Sequence, residues 1–354
     1  MGLPEIIIKF KGLAVSAIAR SARGIVAVLL IDDTEGGKEL NVYNSITDID
    51  FENWTETNYG YLKLIFEGSP VSVIALRQKT ADKNINKALT KFKDLIWNYF
   101  CFPGIGADDK TVVSAWIKEM REEKHKTFKA VLPEITADHE GIINFTTDNV
   151  QSTVTGKTHT AEEYCARIAG MLAGLSLARS ATYFVLSDVV SADVPEEPDE
   201  HIDDGELIIV YDGKQYKIGR GVNSLTSFTT EKPEDIRKIK IVEGMDLLQD
   251  DIRNTFQDSY IGKVINDYDN KQMFVASINS YFKELQGDVL DRSYTNVASV
   301  DAEAQKTYLE GRGQDTSKLS ATELLTANTG SKVFLTAQVK FVDAMEDLQL
   351  TVNM

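Results

Sequence analysis

The sequence predicts an α/β fold with a mainly parallel sheet and helices on both of its faces, followed by a C-terminal α+β domain. Two observations predict the first part: short apolar strands such as Ile25 to Ile31, and amphipathic helices that alternate with them. A third observation predicts the second part, because two amphipathic helices precede a stretch of alternating residues at 331–354. At 354 residues the chain is long for one core, so two domains are expected.

The elements of the first domain alternate between strand and helix. Strands are predicted at 25–31, 71–76, 128–132, 142–145 and 183–186, with a hairpin at 207–211 and 216–218. Helices are predicted at about 83–98 (with Ile85, Leu89, Phe92 and Ile96 on one face), from about 109, and from Thr160. Thr160 and Glu163 predict a capping box for the third helix, whose small residues at Gly170 and Gly174 sit among apolar ones. Because a helix that is apolar on most sides is buried, this helix is expected in the core.

A polar break at Thr229 to Pro233 predicts the domain boundary. We divide the chain into an N-terminal arm and connector (1–24), an outer α/β domain (25–230) and a C-terminal inner domain (231–354). The inner domain contains two amphipathic helices, one with Met245 to Phe256 and one with Phe274 to Leu285 on its apolar face. The segment 301–328 is predicted to be helical, surface-bound and broken at Gly311 to Gly313.

The last residues of the sequence carry the clearest strand pattern. Val333 to Phe341 alternates apolar and polar side chains, and the alternation resumes at Leu348, Leu350 and Val352. This predicts two strands that form a terminal hairpin. Near the start of the chain, Ile6, Ile8 and Phe10 form a third candidate strand. The terminal strands could pair within one subunit or between subunits, because an open strand edge is a template for another chain; the residues alone leave both possibilities open.

Composition excludes several classes of function. The net charge of −16 argues against a nucleic-acid or anionic-membrane partner, since such partners need Lys and Arg to neutralise phosphates. No apolar run is long enough to cross a bilayer, and no signal-peptide pattern is present, so we expect a cytoplasmic protein. Cys101 and Cys165 lie in apolar surroundings and are predicted to be small core residues.

Motifs that would indicate chemistry are absent from the sequence. The four histidines show no metal-ligand spacing, and there is neither a phosphate-binding loop nor a nucleophile elbow. We therefore assign no catalytic, cofactor-binding or metal residues, although chance triads of Ser, His and Asp can form from distant residues. One polar stretch stands out, Arg220 to Thr226. It is interpreted either as a turn that Asn223 and Ser224 cap, or as an inter-subunit contact in which Arg220 and Asn223 take part.

The same stretch carries a resemblance to a known family. Arg220-Gly221-Val222-Asn223-Ser224-Leu225-Thr226 resembles the RGVNTLT-like signature of contractile tail sheath proteins, and Val342-Asp343-Ala344-Met345-Glu346 followed by Leu350-Thr351-Val352 resembles their C-terminus. The opening Gly2-Leu3-Pro4-Glu5-Ile6 is similar to the short sheaths of phages and R-type phage-tail-like bacteriocins of Gram-positive bacteria. These matches follow the family's order along nearly the whole chain.

The resemblance implies a structural polymer with a subtilisin-like α/β layer. It implies stacked hexameric rings around an inner tube, contraction that drives the tube through the target envelope, and terminal strands exchanged between subunits. The implied partners are other copies of the chain, the inner tail tube protein, and baseplate and tail-terminator proteins, with no cofactor. Assembly is expected in the bacterial cytoplasm, within a virion tail or a released bacteriocin. A type VI secretion sheath is less favoured, because those sheaths use two chains and we expect this one to be complete.

The alternative from another class is an α/β hydrolase-like enzyme, which would be a small particle rather than a tube. For the sheath interpretation, the residues that interlock subunits are predicted to be Ile6, Ile8, Phe10, Leu348, Leu350 and Val352. Gly12 and Gly24 bracket a connector of small residues and are predicted to be its hinges. Lys306, Arg312 and Lys318 are predicted to contact an acidic tube.

Overall fold

A computed structural model describes Ile18, Arg20 and residues 22–354. The chain divides into two compact units. The sheet unit comprises residues 22–247 and 343–354, and the helical unit comprises residues 248–342 with Ile18 and Arg20. After residue 22, the chain first leaves the sheet unit and enters the helical unit between Leu247 and Leu248. This point lies within a single helix, Ile239–Ser259. The predicted boundary after residue 230 stays a prediction.

The sheet unit contains a seven-stranded sheet and two smaller sheets. Its strands are β1 (Ile25–Ile31), β2 (Leu40–Tyr43), β3 (Ser72–Gln78), β4 (Tyr99–Cys101), β5 (Lys129–Pro133), β6 (Ile142–Phe145), β7 (Val150–Ser152), β8 (Lys157–His159), β9 (Val189–Ser191), β10 (Glu206–Leu207), β11 (Ile209–Tyr211) and β12 (Tyr216–Ile218). Its helices are α1 (Glu56–Glu67), α2 (Ile85–Phe92), α3 (Ala107–Glu122), α4 (Ala161–Gly174), α5 (Pro198–Asp203) and the start of α6 (Ile239–Ser259).

The large sheet has the order β10-β6-β5-β4-β1-β3-β2, and its pairs are parallel except β2 with β3 at one edge. Side chains of β1 alternate between two cores. Val26, Val28 and Leu30 pack on the face that α1 and α4 cover, whereas Ala27 and Leu29 pack on the face of α2 and α3. The predicted mainly parallel sheet with helices on both faces is confirmed.

Helix α4 is buried as predicted, and its glycines explain how closely it approaches α1. A Cβ atom at Gly170 would lie 2.0 Å from the carbonyl oxygen of Ile65, and one at Gly174 would lie 1.9 Å from that of Gly68. Both distances are far below contact, so only glycine permits this helix pair to touch through its backbones. Cys165 on α4 and Cys101 on β4 are both buried and free, as predicted for core residues.

Three local predictions in this unit are wrong. Thr160 makes no side-chain cap on α4, and the Glu163 carboxylate accepts from Tyr61 and bonds to His159. The helix predicted at 83–98 ends at Phe92, where the Trp97 indole donates to the Phe92 carbonyl at 2.9 Å, and Ile96 is exposed. Residues 183–186 form an isolated bridge at Val185 rather than a strand.

The helical unit contains the remainder of α6 and five further elements. They are α7 (Tyr268–Leu285), β13 (Val297–Val300), α8 (Ala302–Gly311), α9 (Ala321–Thr326) and β14 (Leu335–Gln338). The predicted apolar face of α7 is buried, with Tyr281 and Leu285 at 1% and 2% exposure. Helices α8 and α9 confirm the predicted helical segment with its break after Gly311.

The predicted terminal hairpin is wrong. Strand β14 pairs antiparallel with β13, with Leu335 opposite Val300, and residues 343–354 contain neither strand nor helix. After Val342 the chain enters the sheet unit, where Asp343 and Asp347 pair with Lys238 and Arg220.

Candidate interaction site: the C-terminal arm and its anchor

Residues 343–354, the C-terminal arm, present apolar side chains to solvent. Leu348, Leu350 and Val352 are 89%, 74% and 71% exposed, on a backbone without secondary structure and with no strand partner among the described residues. Burial of these three aliphatic side chains against a partner would be favourable, because it would remove apolar surface from water. The arm therefore has the properties of a strand that lacks its partner.

The root of the arm is bound by four residues of the sheet unit, Ser180, Thr182, Arg220 and Lys238, which we call the arm anchor. The Glu346 carboxylate accepts from Ser180 Oγ at 2.7 Å and from Thr182 Oγ1 at 2.6 Å. One guanidinium nitrogen of Arg220 lies 3.7 Å from the same carboxylate. Hydrogen bonds to an ionised carboxylate are stronger than those between neutral groups, so Glu346 is the central contact.

Two ion pairs flank Glu346. Arg220 Nη2 donates to Asp347 Oδ1 at 2.6 Å, and Lys238 pairs with Asp343. The hydrogen bond and charge of Arg220 hold the pKa of Asp347 below its usual range. Burial acts to lower the pKa of Lys238, but the Asp343 carboxylate outweighs it and raises that pKa. Both pairs are charged at neutral pH and hold the arm root on the sheet unit.

Two segments of the sheet unit meet in the arm anchor, one at Ser180 to Thr182 and one at Arg220 and Gly221. The Gly221 N–H donates to Thr182 Oγ1 at 2.9 Å, so the Thr182 hydroxyl accepts from one turn while donating to Glu346. A Cβ at Gly221 would lie 3.1 Å from that of Ala181, which favours glycine at this close approach. The turn thus positions Arg220 beside the hydroxyl pair.

The rest of the signature segment Arg220 to Thr226 has an internal role. Asn223 is fully buried, donates from Nδ2 to the Ile236 carbonyl at 2.7 Å, and accepts from the Leu225 N–H at 3.0 Å. Ser224 Oγ donates to the His139 carbonyl at 3.0 Å. These bonds agree with the interpretation of the segment as a capped turn. The charged partners of Arg220 lie in its own chain, and the predicted inter-subunit contact of Arg220 and Asn223 stays a prediction.

The other predicted site residues are scattered. Lys306 on α8 is half-buried, whereas Arg312 just after α8 and Lys318 before α9 are exposed, and all three belong to the helical unit. Arg312 Nη1 donates to the Tyr308 hydroxyl at 2.9 Å. Gly24 is buried with φ of +82°, and its carbonyl accepts from the Val71 N–H at 2.8 Å. Ile6, Ile8, Phe10 and Gly12 lie outside the described residues.

A group that resembles a triad does occur, at Thr155, His159 and Glu163. Thr155 Oγ1 lies 2.6 Å from His159 Nε2, and His159 Nδ1 lies 3.1 Å from Glu163 Oε2. The second Glu163 oxygen accepts from the Tyr61 hydroxyl at 2.7 Å, so the group links β8, α4 and α1. Its contacts explain it as a brace between these elements. Within residues 22–354 no cluster of His, Cys, Asp and Glu could hold a metal, and no helix described is long and apolar enough to cross a membrane.

Sequence reasoning missed a buried ionic cluster in the sheet unit. Lys129 on β5 is fully buried, with Nζ 2.5 Å from Asp246 and 3.0 Å from Glu243, both on α6. Arg121 Nη2 lies 2.9 Å from Asp246, while Arg23 and the Tyr99 hydroxyl bond to Glu243. A lysine inside the apolar strand at 128–132 was the available signal, because a buried ammonium needs a carboxylate partner.

Burial alone would raise the pKa of both carboxylates of this ionic cluster. The charges of Lys129 and Arg23 outweigh it for Glu243, and those of Arg121 and Lys129 outweigh it for Asp246. Both carboxyl pKa values therefore lie below their usual range, and the cluster is ionised at neutral pH. It ties the start of α6 to the large sheet.

Comparison with known proteins identifies the class of protein that has this fold. Residues 78–224 match the family model for the phage tail sheath protein central domain, and residues 231–354 match that for the phage tail sheath C-terminal domain. The tail sheath protein of Clostridium phage phiCD119 is 39% identical over 363 residues, covering 100% of this chain and 99% of that protein. The chain therefore belongs to the phage tail sheath family.

Solved structures agree with this assignment at the level of fold. The sheath tail protein from Desulfitobacterium hafniense has 16% identity and a TM-score of 0.69, over 84% of this chain and 94% of that one. The helical sheath of the anti-feeding prophage in its contracted state has 13% identity and a TM-score of 0.72, over 100% of this chain and 99% of that one. Membership of the phage tail sheath family makes the protein a structural tail sheath component, and the hydrolase-like alternative has no support in these comparisons.

Proposed function

We propose that this protein polymerises in stacked hexameric rings around an inner tube and contracts to drive that tube through a target envelope. The observation that carries the proposal is the C-terminal arm, whose alternating Leu348, Leu350 and Val352 are exposed on a backbone that pairs with no strand among the described residues. A second copy of the chain is the partner that supplies the missing strand contacts. Contraction then moves rigid subunits past one another while the arms keep them linked.

The receiving surface in this proposal is the sheet of β13 and β14. Among the described residues this sheet has only two strands, so its outer edges can accept others. In β14, Thr336, Ala337 and Gln338 are exposed. Strands from the arms of neighbouring subunits, at Ile6 to Phe10 and Leu348 to Val352, complete the sheet. A two-stranded ribbon is marginally stable alone, which favours completion.

Electron microscopy of the purified protein tests the proposed function. Striated tubes or rings with six-fold symmetry are expected, whereas small discrete particles at every concentration would contradict it. The remaining proposed partners are the inner tail tube, the baseplate and the tail terminator, with assembly in the bacterial cytoplasm before the sheath becomes part of a virion tail or a bacteriocin particle. Nucleic acid and membrane are not proposed as partners, given the net charge of −16.

The tube contact is proposed at the α8–α9 segment. Reversing the charge at Lys306, Arg312 and Lys318 should weaken the association of sheath with tube and reduce its dependence on salt, because exposed ion pairs are screened by salt. Co-sedimentation of sheath and tube at several salt concentrations measures both quantities. Charge reversal at Lys214, in an exposed turn of the sheet unit, is the control. Unchanged binding and unchanged salt dependence would place the tube contact elsewhere.

The connector before β1 is proposed to transmit motion between subunits. Two or three small residues inserted between Ala19 and Ser21 would add roughly 7–10 Å of extended chain. This slack should leave assembly intact and stall contraction, because a moving subunit would no longer pull its neighbour. Since Gly24 is fixed by its bond to Val71, the hinge movement is expected before Gly24. Contraction induced by urea and scored by microscopy is the measurement; normal shortening of the insertion variant would refute the proposal.

A further inference from the structure

We propose that Ser180, Thr182, Arg220 and Lys238, the arm anchor, form a binding site for the acidic root of the same chain's C-terminal arm, and that this site sets how far the arm reaches. The function of the site rests on the proposed exchange of arms between subunits. Its ligand is the segment Asp343 to Asp347 with its three carboxylates. The site leaves residues 348–354 to reach a neighbour.

The arm buries a carboxylate and exposes the apolar side chains beside it, which is the reverse of the usual preference of these groups. The Glu346 side chain is only 8% exposed, while its apolar neighbours Met345 and Leu348 are 103% and 89% exposed. Burying a carboxylate in preference to two apolar side chains is costly unless specific donors receive it. The hydroxyls of Ser180 and Thr182 are those donors, and the Arg220 guanidinium lies 3.7 Å away, so the contact is selective for an acidic residue at position 346.

The anchor also fixes the register of the arm. Asp343 meets Lys238, Glu346 meets the hydroxyls of Ser180 and Thr182, and Asp347 meets Arg220. A shift by one residue would leave two of these three positions without a carboxylate. A strand displaced by one residue presents its opposite face, and register therefore decides whether Leu348, Leu350 and Val352 face a neighbour's sheet. Because residues 343–347 are held by the anchor, residues 348–354 can pair with a neighbour in one register only.

The reach of the arm follows from the position of the anchor. Seven free residues, 348–354, span at most about 23 Å when extended. Release of the root at Asp343 would add five residues, or about 17 Å, of slack. An anchored arm can thus bind only a neighbour held at short range, whereas a released arm can bind neighbours over a range of separations.

A glutamate-specific protease tests the site in the unassembled full-length protein. Cleavage after Glu346 removes residues 347–354 and is read from the intact mass, with cleavage after the exposed Glu231 as an internal reference. In the wild type, cleavage after Glu346 is expected to be much slower than after Glu231. The variant Arg220→Gln should speed cleavage after Glu346 by roughly tenfold, because an ion pair and its hydrogen bond are lost.

Further variants separate anchoring from folding. Ser180→Ala and Lys238→Gln should each speed cleavage after Glu346, the double variant Arg220→Gln with Lys238→Gln should speed it most, and Lys214→Gln in an exposed turn should leave it unchanged. Arg220→Lys should restore part of the protection, since it keeps the charge and loses the fork of donors. Equal cleavage after Glu346 and Glu231 in the wild type, or equal rates in all variants, would overturn the proposal.

Assembly provides the second measurement. The double variant Arg220→Gln with Lys238→Gln should form tubes with irregular ring spacing, because its arms have extra reach. Regular tubes identical to the wild type would overturn the role of the anchor in setting reach. If the wild type forms no tubes yet shows the protection after Glu346, the proposed function fails while the binding site for the arm root stands.

Discussion

Removal of residues 348–354 should abolish tube formation while leaving the subunit folded. The truncated side chains of Leu348, Leu350 and Val352 are exposed and contribute little to either compact unit, so the thermal unfolding temperature should change little. The loss of polymer should be complete, because the proposed strand exchange depends on these residues. Negative-stain microscopy measures polymerisation and circular dichroism measures folding.

A matched control distinguishes the apolar face of the arm from its backbone. Replacing Leu348, Leu350 and Val352 by Ser should prevent tubes as the truncation does. Replacing the intervening Gln349 and Thr351 by Ser should preserve them, since these side chains lie on the other face of an extended strand. Long tubes formed by the truncated protein would show that the arm does not join subunits.

The substitution Asp246→Asn should destabilise the sheet unit by about 3–5 kcal/mol, the usual cost of removing one member of a buried ion pair. It would leave the buried Lys129 and Arg121 without the carboxylate that both contact. The three tryptophans, Trp54, Trp97 and Trp116, all belong to the sheet unit, so tryptophan fluorescence during urea unfolding reports on this unit.

The exposed Asp204 is the control for this substitution, and Asp204→Asn should shift the urea midpoint little. A change of less than about 1 kcal/mol for Asp246→Asn, the size expected of an exposed pair, would mean that water reaches the cluster and replaces the carboxylate.

The pH dependence of stability follows from the same carboxylates. A carboxyl whose pKa is lower in the folded than in the unfolded state stabilises the fold above its unfolded pKa, and this contribution is lost as pH falls. The pKa values of Glu243 and Asp246 are lowered in this way. Stability of the sheet unit should therefore begin to fall below about pH 4, where unfolded carboxyls protonate.

Asp32 extends this loss toward lower pH. Burial acts to raise the pKa of Asp32, but hydrogen bonds from Thr34, Asn58 and Thr55 outweigh it and lower the pKa to about 2. Urea midpoints measured at several pH values between neutral and acid test the sign; stability that rises on acidification would contradict it.

Local apolar patterns in the sequence by themselves predicted the sheet and its two helical layers. β1 is a short run of apolar residues only, and α4 is apolar on most sides, so the length and composition of these segments were enough to predict a buried strand and a buried helix. Family membership was likewise predictable, because the residues from Arg220 to Thr226 and those after Val342 form recognisable local strings. Secondary structure and family membership can both be predicted in this way because each depends on residues that are adjacent in the sequence.

Tertiary structure alone decided which distant charges meet. The sequence placed Arg220 in a signature and Glu346 in the last residues of the chain, but the contact between them joins positions that no spacing rule relates. The same holds for Lys129 with Asp246, and for β14, which pairs with β13 instead of the residues that follow it. Ion pairs and strand partners are selected by three-dimensional proximity and desolvation, which the fold creates only after its local elements have packed.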